Sequence, residues 1–461
     1  MLDLGLLASV GVCALAGTCA GFAAGLVPGL HMNNIAAALT AYSGATLAAF
    51  GSFGDVFGSD DAALLITCFI SAALMGHLFS ESITSAYLGI PAGDVVSVLP
   101  AHRLARAGLG EVAVRASADG SLCGALLAAV MLIPTCLLMG RPVNLYGWLG
   151  HAMGFIMLFV SAVLLYTEGW GTPRSNRAGK IAKAAILFAA AGILGSVVLC
   201  TDFFACGIPD LPLNDRGFVP RSSLLLPMFA GLYGVPGLLL GLRSTAVFDL
   251  ARDSAEKTVH TPTKKDLLMS FLGGSLVGWL PGMTAGSSAT VCAPSVREYS
   301  GGAEVRESVR FIWLYSAISA SGAVLALGAL FVILRARSGC MDAAQFFMGD
   351  RIEPDTFSEN LEALAVMLVA MLVAASIGHL MISRLNPRMG RMRTVLCSDK
   401  LAIASLVFVC SLSFVLTGTR GALVMATAAC LGLLPPLSGV RRIQLMGCLL
   451  VPITLKFFGL V

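Results

Sequence analysis

Charged residues are scarce in this chain. Asp, Glu, Lys and Arg make up 12% of its 461 residues, against a hydrophobic fraction of 57% and a mean hydropathy of +0.86. Soluble domains carry about 25% charged residues. So little charge cannot cover a water-exposed surface, which excludes an ordinary soluble protein and leaves a cell-membrane protein whose surface faces lipid. No Lys- or Arg-rich stretch precedes the first apolar run, which follows Met1-Leu2-Asp3 directly, so it reads as a membrane segment and not as a cleaved signal. The net charge of +4 is spread over short loops without an aromatic-plus-basic stripe, which argues against nucleic acid as a partner. No CxxC or Cys/His ligand spacing occurs among the thirteen cysteines, so neither a metal site nor a cofactor is expected. Most of these cysteines lie in apolar runs as small core residues; Cys200 and Cys206 are close enough to bridge, or to stay free. HExxH, paired acid motifs and recurring Ser/Lys or Ser/His arrangements at membrane depth are missing too, so the chain reads as no enzyme.

What is present is length and apolarity. At about 20 residues per span there is room for about ten to twelve membrane segments. The apolar runs are 4–26, 62–80, 121–139, 147–166, 181–200, 222–242, 311–334, 361–383, 400–418, 421–437 and 443–460. The expected fold is an all-α, multi-pass membrane protein.

The chain also repeats itself. Gly21, Gly25, Pro28 and Gly29 recur as Gly274, Gly278, Pro281 and Gly282, all at one offset of 253 positions. The echo Leu225-Leu226-Pro227 with Leu433-Leu434-Pro435 sets the repeat ends. Basic loops at 103–115, 174–183, 252–265 and 384–400 belong inside the cell, and acidic loops at 51–61, 201–221 and 338–360 outside. With that orientation the elements follow each Pro-Gly in the same order and with opposite polarity. Two inverted-topology repeats are therefore expected, 1–250 with a re-entrant motif at 25–34 and 260–461 with one at 278–288, the two Pro-Gly tips meeting near the midplane.

Proline removes a backbone donor and glycine tolerates open dihedrals, so each Pro-Gly breaks a helix. At membrane depth the freed groups need protein or water. The half-helix that follows offers its positive end to an anion, and small polar residues stand there. The candidate substrate-binding set is thus Gly25, Pro28, Gly29, His31, Asn33 and Asn34 in one copy, and Gly278, Pro281, Gly282, Thr284, Gly286, Ser287 and Ser288 in the other. Polar side chains acting only as interhelical glue are the competing reading.

These segments resemble the tripartite tricarboxylate transporter permease family, the TctA type, and its archaeal-type branch in particular. The likeness rests on Gly25-Leu26-Val27-Pro28-Gly29-Leu30, on Ser85-Ala86-Tyr87-Leu88-Gly89-Ile90-Pro91-Ala92-Gly93-Asp94 with the basic stretch 99–108, on Leu280-Pro281-Gly282-Met283-Thr284-Ala285-Gly286, and on Gly432-Leu433-Leu434-Pro435-Pro436 running to Met446-Gly447. Departures occur after each break, where His31 and Thr284 stand in place of the family's small residue, and at Ser316–Gly322, which lacks an Asn-containing cluster. The resemblance implies a secondary-active permease for a small di- or tricarboxylate. It also implies a periplasmic or extracellular solute-binding protein and a small membrane subunit as partners. A homodimer stays open.

His77 and Glu81 share one face of a helix and are candidates for proton or sodium coupling. Glu168 and Arg420 read as snorkelling anchors at span ends, and His379 as interfacial. A carrier of a lipid-linked phosphate, such as a polyprenyl phosphate, is the alternative function, because a half-helix end suits phosphate as well as carboxylate.

Overall fold

The computed structural model describes residues 4–27, 30–58, 61–88, 98–106, 108–170, 173–200, 224–243, 260–292, 302–349, 352, 357–388 and 399–460. The apolar runs form helices: α1 (Leu4–Gly25), α2 (Met32–Ala41), α3 (Ser43–Phe57), α4 (Ala62–Leu88), α5 (Val98–Arg106), α6 (Gly110–Met139), α7 (Leu145–Thr167) and α8 (Arg174–Cys200). Next come α9 (Leu225–Phe229), which passes through a π turn at Ala230–Gly234 into α10 (Val235–Arg243), then α11 (Lys264–Trp279), α12 (Ala285–Cys292) and α13 (Gly302–Ile333). The chain closes with α14 (Gly339–Met348), α15 (Phe357–Leu385), α16 (Asp399–Ser438) and α17 (Gly447–Phe457). Among the described residues, eight helices are long and apolar enough to cross a membrane, and the α2–α3 pair, bent by 93°, is a broken span or a re-entrant loop. Shorter apolar helices at Leu225–Leu240 and Ala402–Val415 account for two more of the expected runs.

α16 is two limbs. Gly418 sits at φ 62°, a left-handed conformation that glycine adopts without a Cβ penalty. Leu406, Val409 and Cys410 from one limb share an apolar cluster with Met425 and Ala429 from the other, so the chain reverses at Gly418.

α4 and α13 form the centre. Their apolar windows are 83% and 78% buried, against 28–44% for the other spans, whose outer faces meet lipid. Small residues let backbones approach closely where lipid offers no hydrophobic drive between helices. Gly17, Gly21 and Gly25 of α1 meet Phe69, Ala73 and His77–Glu81 of α4 in ascending order, so α1 and α4 run parallel. Gly273, Gly274 and Gly278 of α11 meet Ile318, Ser321 and Leu325 of α13 in the same way. Gly120 and Gly124 of α6 meet Trp313 and Ala317, which makes α6 parallel to α13, while Gly110 meets Tyr87 near the end of α4, which makes α6 antiparallel to α4. The pair α11/α13 therefore repeats the pair α1/α4 with opposite sense, and the recurring glycines are its packing contacts. The Leu-Leu-Pro echo has no such equivalence: 225–227 opens α9, 433–435 closes α16, and the two helices pack side by side with Gly231 on Met425 and Gly432 on Leu232.

The described parts of the basic loops gather at one end of the bundle. Asn386 donates to the Glu111 carbonyl (2.9 Å), Arg310 joins the start of α13 to Asp266 at the start of α11 (2.8 Å), and Lys180 reaches Glu168 (3.5 Å). Residues 51–58 and 338–349 lie at the other end, where Met348 meets Thr67 near the start of α4 (3.9 Å). Cys206 and the loop 201–221 lie outside the described residues, and Cys200 is an exposed free thiol.

Candidate functional site

At the first break α1 ends on Gly25, and Pro28 and Gly29 lie outside the described residues, as therefore does the expected meeting of the two Pro-Gly tips. α2 opens with His31 as its cap: the imidazole Nδ1 accepts the Asn33 N–H at 3.1 Å, and the Asn34 N–H goes to the His31 carbonyl at 2.9 Å. The half-buried Asn34 completes this first turn. The Asn33 side chain is committed elsewhere, its Oδ1 accepting the Cys340 N–H at 3.1 Å. The N-terminus of α14, from the second half of the chain, thus walls the first break.

Behind it stands His77. It is fully buried, and neither ring nitrogen makes a well-formed hydrogen bond among the described residues, the Gly21 backbone being its one weak polar partner. Its ring meets that of His31 edge to face at 4.9 Å between centres. Its Nε2 lies 3.7 Å from Glu81 Oε2, one turn along α4. The sequence pairing of His77 with Glu81 is thus a real proximity, and the structure adds His31 to it.

Glu81 also lines a small cavity, with room for about one water, between α4, α5, α6 and α13, with Ser82, Ser85, Ser117, Tyr315 and Ser316. Ser117 and Ser316 hydrogen-bond across it at 2.8 Å. No sequence signal marks this cavity, because its walls come from four helices and its polar residues are isolated serines.

The second break is built differently. Gly282 takes φ 72°, and a Cβ there would lie 2.8 Å from Ile453 of α17. Thr284 and Ser287 cap α12 reciprocally: the Thr284 N–H donates to Ser287 Oγ (2.9 Å) and the Ser287 N–H to Thr284 Oγ1 (3.3 Å). The Ser288 N–H goes to the Thr284 carbonyl (2.9 Å), and its hydroxyl ties α12 to the Gly273 carbonyl of α11 (2.7 Å). Ser287 and Ser288 are fully buried and Gly286 is buried beside them. These serines hold the α11–α12 hairpin shut, and Gly25 and Gly278 are helix-packing positions. The two breaks have separate surroundings, α4 and α14 for the first, α13 and α17 for the second.

Two polar clusters, one buried around Glu168 and one half-buried at His379, depart from the sequence expectation. Glu168 is not a snorkelling anchor. It is 1% exposed and accepts from the Arg441 backbone N–H (3.2 Å), from Arg441 Nε (3.0 Å) and from Gln444 Nε2 (3.0 Å). Burial alone would raise its pKa; the Arg441 charge and these hydrogen bonds outweigh that and hold it below the usual carboxylate range. His379 is an interhelical partner, its Nε2 2.9 Å from Asp119 Oδ1 of α6. Arg420 stands two residues past the Gly418 reversal.

A buried imidazole, a carboxylate beside it and a hydroxyl-lined, water-sized cavity can hold and pass protons and order water. A family model described as the tripartite tricarboxylate transporter TctA family matches residues 12–447. An uncharacterized protein of Methanocaldococcus jannaschii is 24% identical over 453 residues, 96% of this chain and 97% of that one. No solved structure matches the chain. With nearly its whole length matched by that family model, the chain belongs to the tripartite tricarboxylate transporter TctA family.

Proposed function

We propose that the chain is a secondary-active permease that moves a small di- or tricarboxylate across the cell membrane, driven by a cation gradient. Its two working halves are 1–250 and 260–461. The observation that carries this is the arrangement present twice with opposite sense: a helix that stops at or just after a matched glycine (Gly25, Gly278), a short half-helix with a polar start, and a parallel partner packed on matched glycines. The positive ends of α2 and α12, one in each half, are the groups offered to the anion. In this reading His31, Asn34 and Thr284 offer polar groups, while Asn33, Ser287 and Ser288 keep the half-helices in place. Each hydrogen bond to a charged ligand adds about 1.5–3 kcal/mol, so selectivity rests on several donors and not on one cation. His77 and Glu81 form the coupling locus. Family membership further supports delivery by a solute-binding protein and assistance by a small membrane subunit.

The test is uptake of radiolabelled citrate and succinate into proteoliposomes, with and without sodium and proton gradients. Gradient-dependent accumulation supports the proposal. Movement of a polyprenyl phosphate in place of either carboxylate replaces it with lipid-phosphate transport.

A further inference from the structure

We infer that the coupling ion is a proton, carried by Glu81 and His77 between the serine-lined cavity and the first break. This rests on the permease proposal for its purpose, though not for its chemistry.

A buried polar group without a partner is costly and uncommon, and ionisable groups at membrane depth are kept for function. His77 is such an under-paired group, fully buried at the level where α1 ends, with no well-formed hydrogen bond to either ring nitrogen among the described residues and only the Gly21 backbone as a weak partner. Glu81 is 14% exposed and stands between two environments, with His77 Nε2 3.7 Å away on one side and the cavity on the other. The cavity lies near the starts of α6 and α13, at the basic-loop end of the bundle, and its hydroxyls give water the polar partners it needs. On the far side of His77 is the imidazole of His31, the cap of the broken half-helix. The relay thus links water at one end to the element that would meet substrate at the other.

One feature favours a proton over sodium: sodium is a hard cation bound by oxygens, whereas the nitrogens of this cluster belong to two imidazoles, the buried His77 and the half-buried His31. The cluster is also one-sided. Residues 321–330 of α13, which face α11 as His77 and Glu81 face α1, read Ser-Gly-Ala-Val-Leu-Ala-Leu-Gly-Ala-Leu and carry no ionisable group.

The titratable groups on the elements packed around α4 include Asp119 and Arg115 of α6, His379 of α15, His102 of α5, Cys340 and Asp342 of α14 and Tyr315 of α13. Asp119 is paired with His379 at 2.9 Å and Arg115 lies 3.8 Å from Asp119. His102 bonds the Ala86 carbonyl at 3.1 Å, and Tyr315 lines the cavity itself. The transfer balances: a hydrated proton in the cavity passes to Glu81 Oε2, leaving neutral water, and from there to His77 Nε2. The imidazolium then releases its Nδ1 proton to His31 Nδ1, the lone-pair nitrogen of that ring, which gives up its hydrogen bond from the Asn33 N–H, and rotation of the His77 ring resets the tautomer.

Infrared pH-difference spectroscopy of the full chain in lipid nanodiscs, between about pH 5 and 8 where an ordinary histidine titrates, tests this. A protonated-carboxyl C=O band should appear on acidification and be lost in Glu81→Gln. It should shift in frequency in Glu81→Asp, and its midpoint should move in His77→Gln. Sodium chloride in place of choline chloride should leave it unchanged. A band that persists unshifted in both Glu81 variants, or one displaced by sodium, overturns the inference. Loss of the titration with citrate still accumulated would reject the proton alone; an intact titration without carboxylate uptake would reject the permease proposal and leave the proton site standing.

Discussion

Ser117 of α6 and Ser316 of α13 share a hydroxyl–hydroxyl hydrogen bond of 2.8 Å, one from each half of the chain, on the wall of the Glu81 cavity. The backbone of α13 approaches α6 closely along this stretch, with Gly120 against Trp313 and Gly124 against Ala317. The double variant Ser117→Cys/Ser316→Cys, in a background cleared of native cysteines, should therefore form an intramolecular disulfide with a mild oxidant. A faster-migrating, reductant-sensitive band on a denaturing gel is the readout. Its absence would contradict the parallel pairing of α6 with α13.

The matched glycines should be structural. A Cβ at Gly21 collides with the Ala73 backbone of α4, and one at Gly278 would lie 2.6 Å from the Leu325 side chain. Gly21→Ala and Gly278→Ala should each cost about 1–3 kcal/mol through overpacking, seen as a lowered thermal midpoint in detergent. Gly11→Ala, on the same helix as Gly21 with nothing within 4 Å of its Cβ, serves as the tolerated control.

Arg441 compensates a buried carboxylate. Arg441→Met should destabilise the protein by about 1–3 kcal/mol, because Glu168 stays buried and loses its charged partner, with Gln444 and Lys180 left to compensate it. Glu168→Gln should cost less, since it removes the stranded charge. The pH sign follows from the lowered Glu168 pKa. Its contribution is fully present above the unfolded glutamate value of about 4.3 and is lost as pH falls through the folded value. Wild type should lose stability across that acidic window, and Glu168→Gln should lose less. Equal acid sensitivity in both would remove Glu168 from the account.

Much of the helical framework is legible in the sequence because apolar runs of span length leave one solution in lipid, and because Gly-Pro breaks and loop charges mark where runs stop and on which side. Gly418 separates the runs 400–418 and 421–437, and there the chain turns. What is not legible is pairing at a distance. Cys340 meets Asn33 across 307 positions, Arg441 meets Glu168 across 273, and His379 meets Asp119 across 260. No local pattern encodes these contacts. The candidate site was legible in place more than in role. Ser287 and Ser288 stand beside a break, as small polar residues there suggest, yet their hydroxyls are spent on the α12 cap and the α11 carbonyl.

The central claim is carriage of an organic carboxylate driven by a cation gradient through the broken-helix core. The most direct measurement is accumulation of radiolabelled citrate and succinate by proteoliposomes under an imposed proton gradient, for wild type and for Gly282→Leu. Gly282 holds φ 72° with Ile453 against it, so a leucine there would displace the second break. The account predicts gradient-dependent accumulation by wild type and none by Gly282→Leu. Equal accumulation by both proteins, or transport of a polyprenyl phosphate in place of either carboxylate, would contradict it.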